Sequence, residues 1–283
     1  MIKRKLQSAL RISREQGWAG LRVALKRNLF GDRRAAIDEV EIVRLAFRDA
    51  GVRGVMIDVG AHFGGTAEPF CQDGWRVLAF EPDSMNRARL VERLRPFPNA
   101  VIDMRALSNE EKEAVTFYRG SASTGISGLS AFDPSHVASD TVPMTTLTRA
   151  LAEHGVTSVD FLKIDTEGFD KFVLEGVPWD SLQPEVVICE FENRKTEPLG
   201  YTFSDLADYL VARGYRVIVS EWKPIARYGI EHDWSRFARY PCELSTPQGW
   251  GNLIAVRGDD LYRRVSLWCD KAEAAYRRRL PVH

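Results

Sequence analysis

The sequence lacks several features that mark particular classes of protein. Its four cysteines are widely spaced and form no CxxC pair, which argues against a zinc site and a disulfide framework. No run of about 20 apolar residues occurs, and no apolar segment of about 7–15 residues follows the basic N-terminus. Secretion and membrane spanning are therefore not expected. We expect a cytoplasmic location.

Net charge is also absent, because 39 basic residues balance 39 acidic ones. No overall field attracts nucleic acid, which is not expected as a partner. Residues 1–30 are locally basic, with eight Lys or Arg against one acid and apolar residues at helical spacing. The pattern predicts an amphipathic helix, which packs either on its own domain or on a partner subunit. A homo-oligomer is therefore possible. The alternative is that the helix makes a peripheral contact with a membrane.

From Val55 onward, short apolar runs alternate with turns and helical patterns, as in a parallel sheet covered by helices. We predict a helical extension over 1–50, with a helix at 36–50, and an α/β domain over 51–283. An insertion at about 107–145, with a Ser- and Gly-rich stretch, is predicted to be a lid. The strand candidates are 55–59, 76–80, 100–104, 159–164, 185–191, 215–219 and 252–256.

The first predicted strand ends in a glycine-rich turn that contains Gly60, Gly64 and Gly65. Glycine lets a ligand approach the backbone and permits the dihedral angles of a tight turn. The same pattern also occurs in strand-to-helix turns without a ligand. Glu81 stands at the end of the second strand, 21 positions after Gly60, where a carboxylate can accept the hydroxyl protons of a ribose. Together they predict a nucleoside ligand.

Nicotinamide and S-adenosylmethionine are the two nucleosides to separate. The dinucleotide motif Gly-x-Gly-x-x-Gly would need glycine at position 62, where this chain has His62. Asp58 would place negative charge near the turn, which is unfavourable for a pyrophosphate but suits the amino group of a methionine. An NAD-dependent oxidoreductase is thus disfavoured, and the methyl donor is favoured.

These residues, with two further segments, resemble the FkbM-type family of S-adenosylmethionine-dependent methyltransferases over about residues 55–192. The first block is Ile57–Gly64 and the second is Ala79–Asp83. The third, Leu162–Gly168, has ordered Lys, Asp, Glu and Gly and is the most specific. Ala106–Ser108 and Val187–Glu190 also match. The chain departs from the family at His62, where Asn is expected, and at Asp170, where Glu is usual.

The resemblance implies a Rossmann-like, mostly parallel seven-stranded sheet with its last strand antiparallel. It also implies methyl transfer to a hydroxyl of a saccharide or another small natural product. Asp83 has the alternative role of capping the following helix. The cofactor-binding positions that the resemblance implies are Asp58, Gly60, Ala61, His62, Gly64, Glu81, Pro82, Asp83, Arg105 and Ala106.

A hydroxyl acceptor must lose its proton during transfer, so a base should lie at the strand ends beside the cofactor. Asp165 and Glu190 are the candidates. Lys163 could pair with Asp165 or stabilise an oxyanion, or it is a structural, buried lysine that a neighbouring carboxylate neutralises. A divalent cation such as Mg²⁺, with Glu192 or Asn193 as a further ligand, is a less favoured alternative. No metal ligand is therefore assigned.

Three other expectations remain. Glu167, at a strand-to-helix turn, is expected to be structural rather than catalytic. His62 could act as a base near neutral pH. The second function hypothesis is a non-catalytic protein that keeps the nucleotide-binding domain as an interaction scaffold, and loss of cofactor binding would support it.

Overall fold

A computed structural model describes residues 37–121, 124–226, 228 and 232–278. The predicted helix over residues 1–30 lies outside them. Asp38–Lys271 form one compact unit. The described elements of the chain are α1 (Glu39–Asp49), β1 (Val55–Val59), α2 (Ala67–Gln72), β2 (Arg76–Phe80), α3 (Ser84–Leu94), β3 (Ala100–Asp103), β4 (Ala106–Ser108), β5 (Lys112–Gly120), β6 (His136–Thr146), α4 (Leu147–Glu153), β7 (Phe161–Ile164), α5 (Asp170–Glu175), β8 (Val186–Glu192), α6 (Asn193–Thr196), α7 (Phe203–Val211), β9 (Arg216–Trp222), β10 (Trp234–Arg239), β11 (Trp250–Val256) and α8 (Asp259–Arg277).

The main sheet has eight strands in the order β10-β9-β11-β8-β7-β1-β2-β3. The pairs from β3 through β2, β1 and β7 to β8 are parallel, whereas β11 is antiparallel to both β8 and β9. All seven predicted strands are present, and the last one is antiparallel as expected. The Rossmann-like α/β class is confirmed. An eighth strand, β10, extends the edge by pairing antiparallel with β9.

Helix α1 shows how local sequence determines an element of the fold. Asp38 begins it, because its carboxylate accepts a hydrogen bond from the Glu41 amide at 2.9 Å. Its buried face includes Ile42, Val43 and Phe47. Glu39 is buried as well and accepts hydrogen bonds from Ser220 and Trp222 of β9. The prediction of a helix over 36–50 is confirmed.

The core of the unit forms where helices cover the sheet. Ile57, Leu78, Leu162 and Val187 come from four neighbouring strands and belong to one cluster of buried side chains. Residues of α4 and α7 belong to the same cluster, so these helices bury apolar surface against the strands. Burial of each such side chain contributes roughly 1.5–3 kcal/mol to the stability of the fold. This packing holds in place the strands whose ends carry polar residues.

The insertion contains a second sheet, in the order β4-β6-β5. Strand β6 pairs parallel with β4 and antiparallel with β5. Ala106, Phe117, Val142 and Met144 form a small buried cluster within it. The insertion therefore has its own core and ordered strands in addition to the Ser- and Gly-rich stretch seen in the sequence.

No helix in the described part of the chain is long and apolar enough to cross a membrane.

Candidate active site

A cavity of about 300 Å³ lies at the carboxyl ends of β1, β2 and β7. Strand β1 pairs with both β2 and β7, so the order of strands along the chain reverses there, as at the ligand crevice of open α/β sheets. We define two sides of this cavity. The glycine-turn side consists of Gly60, Ala61, His62, Glu81, Pro82, Arg105 and Ala106, and the carboxylate side consists of Ser127, Gly128, Leu129, Asp165, Thr166, Glu167 and Phe169.

Backbone contacts hold the glycine turn in place. The amides of Gly60 and Ala61 both donate to the Phe80 carbonyl at 3.0 Å. Gly60 has φ +76°, and a Cβ at this position would lie 1.9 Å from the Asp165 carbonyl oxygen. Glycine is therefore required here by both the dihedral angle and the space. His62 also has a positive φ, +50°, a rare value for a residue other than glycine.

Glu81 connects the turn to the end of β2. Its Oε2 accepts from the His62 amide at 2.7 Å, and its Oε1 accepts from the Asp83 amide at 2.9 Å. Each carboxylate oxygen has a second lone pair that can accept a ligand hydroxyl. Burial raises the pKa of Glu81 to about 7, despite the opposing effect of these two hydrogen bonds.

The imidazole of His62 lines the same side and stacks on Phe63 with 3.6 Å between ring centroids. Burial lowers the pKa of His62, which favours the neutral ring. Arg105 also lines this side and pairs with Asp103 and Glu153, each at 2.6 Å. Of the ten predicted cofactor-binding residues, seven line the cavity.

The other three predicted residues are Asp58, Gly64 and Asp83, and none of them lines the cavity. The Asp83 carboxylate accepts from the amides of Met85 and Asn86 at the start of α3, and it pairs with Arg119 at 2.7 Å. Gly64 has φ +75°, and a Cβ there would lie 2.7 Å from the Leu90 side chain. Asp83 therefore has the capping role, and Gly64 allows α3 to pack closely.

Asp58 lies behind the cavity wall and is fully buried. The Lys163 ammonium is 3.3 Å from its Oδ1, 3.4 Å from Asp165 Oδ2, and donates to the Gly60 carbonyl at 3.1 Å. Burial alone would lower the pKa of Lys163, but Asp165 and Asp58 outweigh it and raise the pKa. Lys163 thus lies between the buried Asp58 and the more exposed Asp165, and it also lines the cavity.

Asp165 follows β7, and its side chain is 43% exposed. This predicted base is therefore accessible to a ligand in the cavity. Glu190, the other candidate, does not line the cavity, and its side chain is 12% exposed. The backbone amide of Glu190 donates to Asp170 at 2.9 Å, so the aspartate that departs from the family pattern supports this strand end.

Lys195, which the sequence interpretation missed, brings three glutamates together. Its ammonium lies 2.7 Å from Glu167, 2.8 Å from Glu190 and 2.9 Å from Glu192. Glu167 has φ +56° and burial raises its pKa to about 7. The sequence signal for Lys195 was its position three residues after Glu192, just past a strand end, where helical spacing places two side chains close together.

The insertion covers part of the cavity. The segment around Gly128 pairs with β5 through two hydrogen bonds to Tyr118, of 2.9 and 3.0 Å. A Cβ at Gly128 would lie 3.3 Å from the Cβ of Glu167, so this segment of the insertion packs directly against Glu167 within the carboxylate side. Phe117 of β5 lines the cavity too.

Comparison with solved structures finds methyltransferases at low identity. A putative O-methyltransferase from Klebsiella pneumoniae is 12% identical, with a TM-score of 0.44, over 83% of this chain and 90% of that one. An O-methyltransferase from Bacillus cereus in complex with SAH is 10% identical, with a TM-score of 0.41, over 83% and 89%. A precorrin-6y C5,15-methyltransferase from Geobacter metallireducens is 13% identical, with a TM-score of 0.39, over 77% and 88%.

No curated protein matches the sequence. A family model, the methyltransferase FkbM domain, matches residues 58–217, which is more than half of the chain. This range begins in β1, ends in β9 and contains both sides of the cavity and the insertion. The predicted resemblance is confirmed: the chain belongs to the FkbM family of methyltransferases, and membership implies S-adenosylmethionine as its methyl donor.

Proposed function

We propose that the protein is an O-methyltransferase that transfers the methyl group of S-adenosylmethionine to a hydroxyl of a saccharide or another natural product. The observation that carries the proposal is a single cavity lined by both the glycine turn with Glu81 and the accessible carboxylate of Asp165. Donor and acceptor can therefore meet in one enclosure, which methyl transfer requires.

The glycine-turn side suits the donor. Glu81 has free lone pairs for the ribose hydroxyls, and the backbone at Gly60 and Ala61 leaves room for the methionine portion. Pro82, Arg105 and Ala106 would lie near the adenine. The carboxylates lining the cavity favour a sulfonium cation and disfavour a pyrophosphate, which agrees with the absence of glycine at position 62.

The carboxylate side suits a hydroxyl acceptor. The acceptor oxygen attacks the methyl carbon as the carbon–sulfur bond breaks, and the electron pair of that bond stays on the sulfur. Asp165 takes the hydroxyl proton, since its carboxylate is the accessible one. Lys163 lies beside Asp165 and holds its position through the ion pair. The products are S-adenosylhomocysteine, a methyl ether and a proton.

The first test is calorimetric titration of the purified chain with S-adenosylmethionine and, separately, with NAD. We expect a Kd for S-adenosylmethionine in the micromolar range or lower, which corresponds to a binding free energy of about −8 kcal/mol or more negative. We expect no binding of NAD. Failure to bind the methyl donor would favour the scaffold hypothesis.

The acceptor test uses S-adenosylmethionine with a labelled methyl group and pairs of saccharides that differ in one hydroxyl or amino group. We expect label in a methyl ether, identified by mass spectrometry of the product. Label only on the amino saccharides would contradict O-methylation while leaving methyl transfer intact.

A further inference from the structure

Lys195 is an enclosed cation among carboxylates. Its side chain is 2% exposed, although lysine is among the residues least often buried. Its ammonium has three N–H donors, and oxygens of Glu167, Glu190 and Glu192 lie 2.7–2.9 Å away. The rings of Phe132 and Tyr228 lie 5.2 and 5.9 Å from Nζ, which adds attraction for a cation.

The charges of this cluster are complementary. A buried ammonium is surrounded by carboxylate oxygens of Glu167, Glu190 and Glu192, all within 2.9 Å. Removing one partner from a buried ion pair leaves the other charge uncompensated. The Lys195 ammonium therefore compensates the negative charge of the cluster.

The same carboxylates have the spacing of a metal site. One oxygen each from Asp165, Glu167 and Glu190 lie within 4.8 Å of one another, and carboxylate oxygens are the ligands that Mg²⁺ and Mn²⁺ prefer. Two of these three residues, Glu167 and Glu190, are already paired with Lys195. An incoming divalent ion would have to displace the ammonium or lie against it, where like charges repel.

We propose that Lys195 takes the place of a divalent cation: its ammonium positions Glu167 and Glu190 beside the cavity and closes this cluster to metal ions. Lys195 is a positioning residue, because it acts through the glutamates. The inference concerns the carboxylate cluster alone, and it does not depend on the donor or the acceptor. It predicts that a substituted chain gains a metal site that the natural chain lacks.

The test is titration of the purified chain and of a Lys195→Met variant with Mn²⁺, by calorimetry and by the loss of the free-ion electron paramagnetic resonance signal. Methionine keeps most of the aliphatic stem and removes the charge. We expect one Mn²⁺ per variant chain, bound at least about tenfold more tightly than by the natural chain, because the freed oxygens gain a cation. A merely structural lysine would not produce this gain.

Three controls make the result specific. A Lys195→Met, Glu190→Gln double variant should lose the acquired site, and Lys195→Arg should not acquire it. Lys112→Met removes a lysine that pairs with the exposed Glu110, and its Mn²⁺ binding should match that of the natural chain. Circular dichroism identifies which variants are folded.

Two results would overturn the proposal. One is a folded Lys195→Met variant that binds Mn²⁺ no better than the natural chain. The other is a natural chain that binds one Mn²⁺ and loses it on Glu190→Gln substitution. This second measurement does not need Lys195→Met to fold. Both readouts are binding measurements, so failure of the methyltransferase proposal would not affect them.

Discussion

The two sides of the cavity are built by different means. On the glycine-turn side, backbone groups determine the geometry: Phe80 accepts two amide hydrogen bonds, and Glu81 accepts two more. On the carboxylate side, charged side chains behind the cavity hold Glu167: it pairs with Lys195, which also pairs with Glu190 and Glu192. A backbone scaffold suits a ligand that all family members share, whereas side chains can change with the acceptor.

The two sides also differ in the distance along the chain between interacting groups. His62 and Glu81 are 19 positions apart, within one strand–helix–strand unit. Glu167 and Lys195 are separated by a helix and a strand, and Gly128 reaches Glu167 from the insertion. The carboxylate side therefore forms only after the tertiary fold is complete, and substitutions there should affect chemistry more than cofactor binding.

The largest expected effect is on chemistry, from Asp165→Asn. Removing the accessible base should lower kcat by about 10²- to 10⁴-fold, because the other two carboxylates that line the cavity, those of Glu81 and Glu167, are largely buried. Glu190→Gln is the matched comparison, and we expect a loss of less than about tenfold, since Glu190 acts through its contacts. Steady-state methyl transfer by both variants checks this. A larger loss for Glu190→Gln than for Asp165→Asn would reverse the assignment of the base.

The next effect, on stability, comes from the glycine turn. Gly60→Ala forces a positive φ on alanine and places its Cβ against the Asp165 carbonyl. Gly74 has a similar φ, +84°, but a Cβ there meets nothing within 4 Å. Gly74→Ala should cost about 1–2 kcal/mol from φ alone, and Gly60→Ala about 1–3 kcal/mol more from crowding. Urea unfolding of the two variants measures the difference between their free energies of unfolding. Equal losses of stability would mean that the turn shifts to accommodate the methyl group.

Donor binding should depend on pH through Glu81. Its pKa is raised to about 7, so the carboxyl group is increasingly neutral below that pH, and a ribose hydroxyl prefers the ionised acceptor. Affinity for S-adenosylmethionine should therefore rise as pH increases toward about 7 and level off above it. Each pH unit below the pKa should weaken binding by up to about tenfold. Calorimetry across this range measures the slope.

Two variants test whether the pH dependence of donor binding comes from Glu81. Glu81→Gln cannot ionise, so its weaker binding should be independent of pH. Glu167 also has a pKa near 7, but it lies on the carboxylate side, so Glu167→Gln should keep the pH dependence of the natural chain. If Glu167→Gln, rather than Glu81→Gln, abolished the pH dependence of binding, the donor would lie on the carboxylate side and not on the glycine-turn side.

Seven of the ten residues predicted to bind the cofactor line the cavity, because the determinants of the glycine-turn side are local. The spacing from Gly60 to Glu81 follows from one strand, one helix and one strand, and alternation of apolar runs located all seven strands. The strand β10 was not predicted. A connection without a helical or strand pattern separates it from β9, and apolar periodicity does not predict which strands pair across such a connection.

The carboxylate side was predicted only in part for the same physical reason. Asp165 and Glu190 were predicted because they stand at strand ends, which share one edge of a parallel sheet, and of the two only Asp165 lines the cavity. Lys195 was missed, because a lysine after a strand is usually solvent-exposed and only tertiary contacts show that this one is buried. The approach of Gly128 to Glu167 likewise depends on how the insertion folds back.

The smallest expected effect separates two roles of Asp83, which caps α3 and pairs with Arg119 at the border of the glycine-turn side. Asp83→Ala should lower the free energy of unfolding by about 1 kcal/mol, the usual value of an N-cap. Asp83→Asn keeps a capping oxygen but loses the charge, so its stability should lie closer to that of the natural chain. Neither variant should change the Kd for S-adenosylmethionine more than about twofold, because Asp83 does not line the cavity. A tenfold loss of affinity in Asp83→Asn, at unchanged stability, would instead make this carboxylate a contact of the cofactor and extend the glycine-turn side to the start of α3.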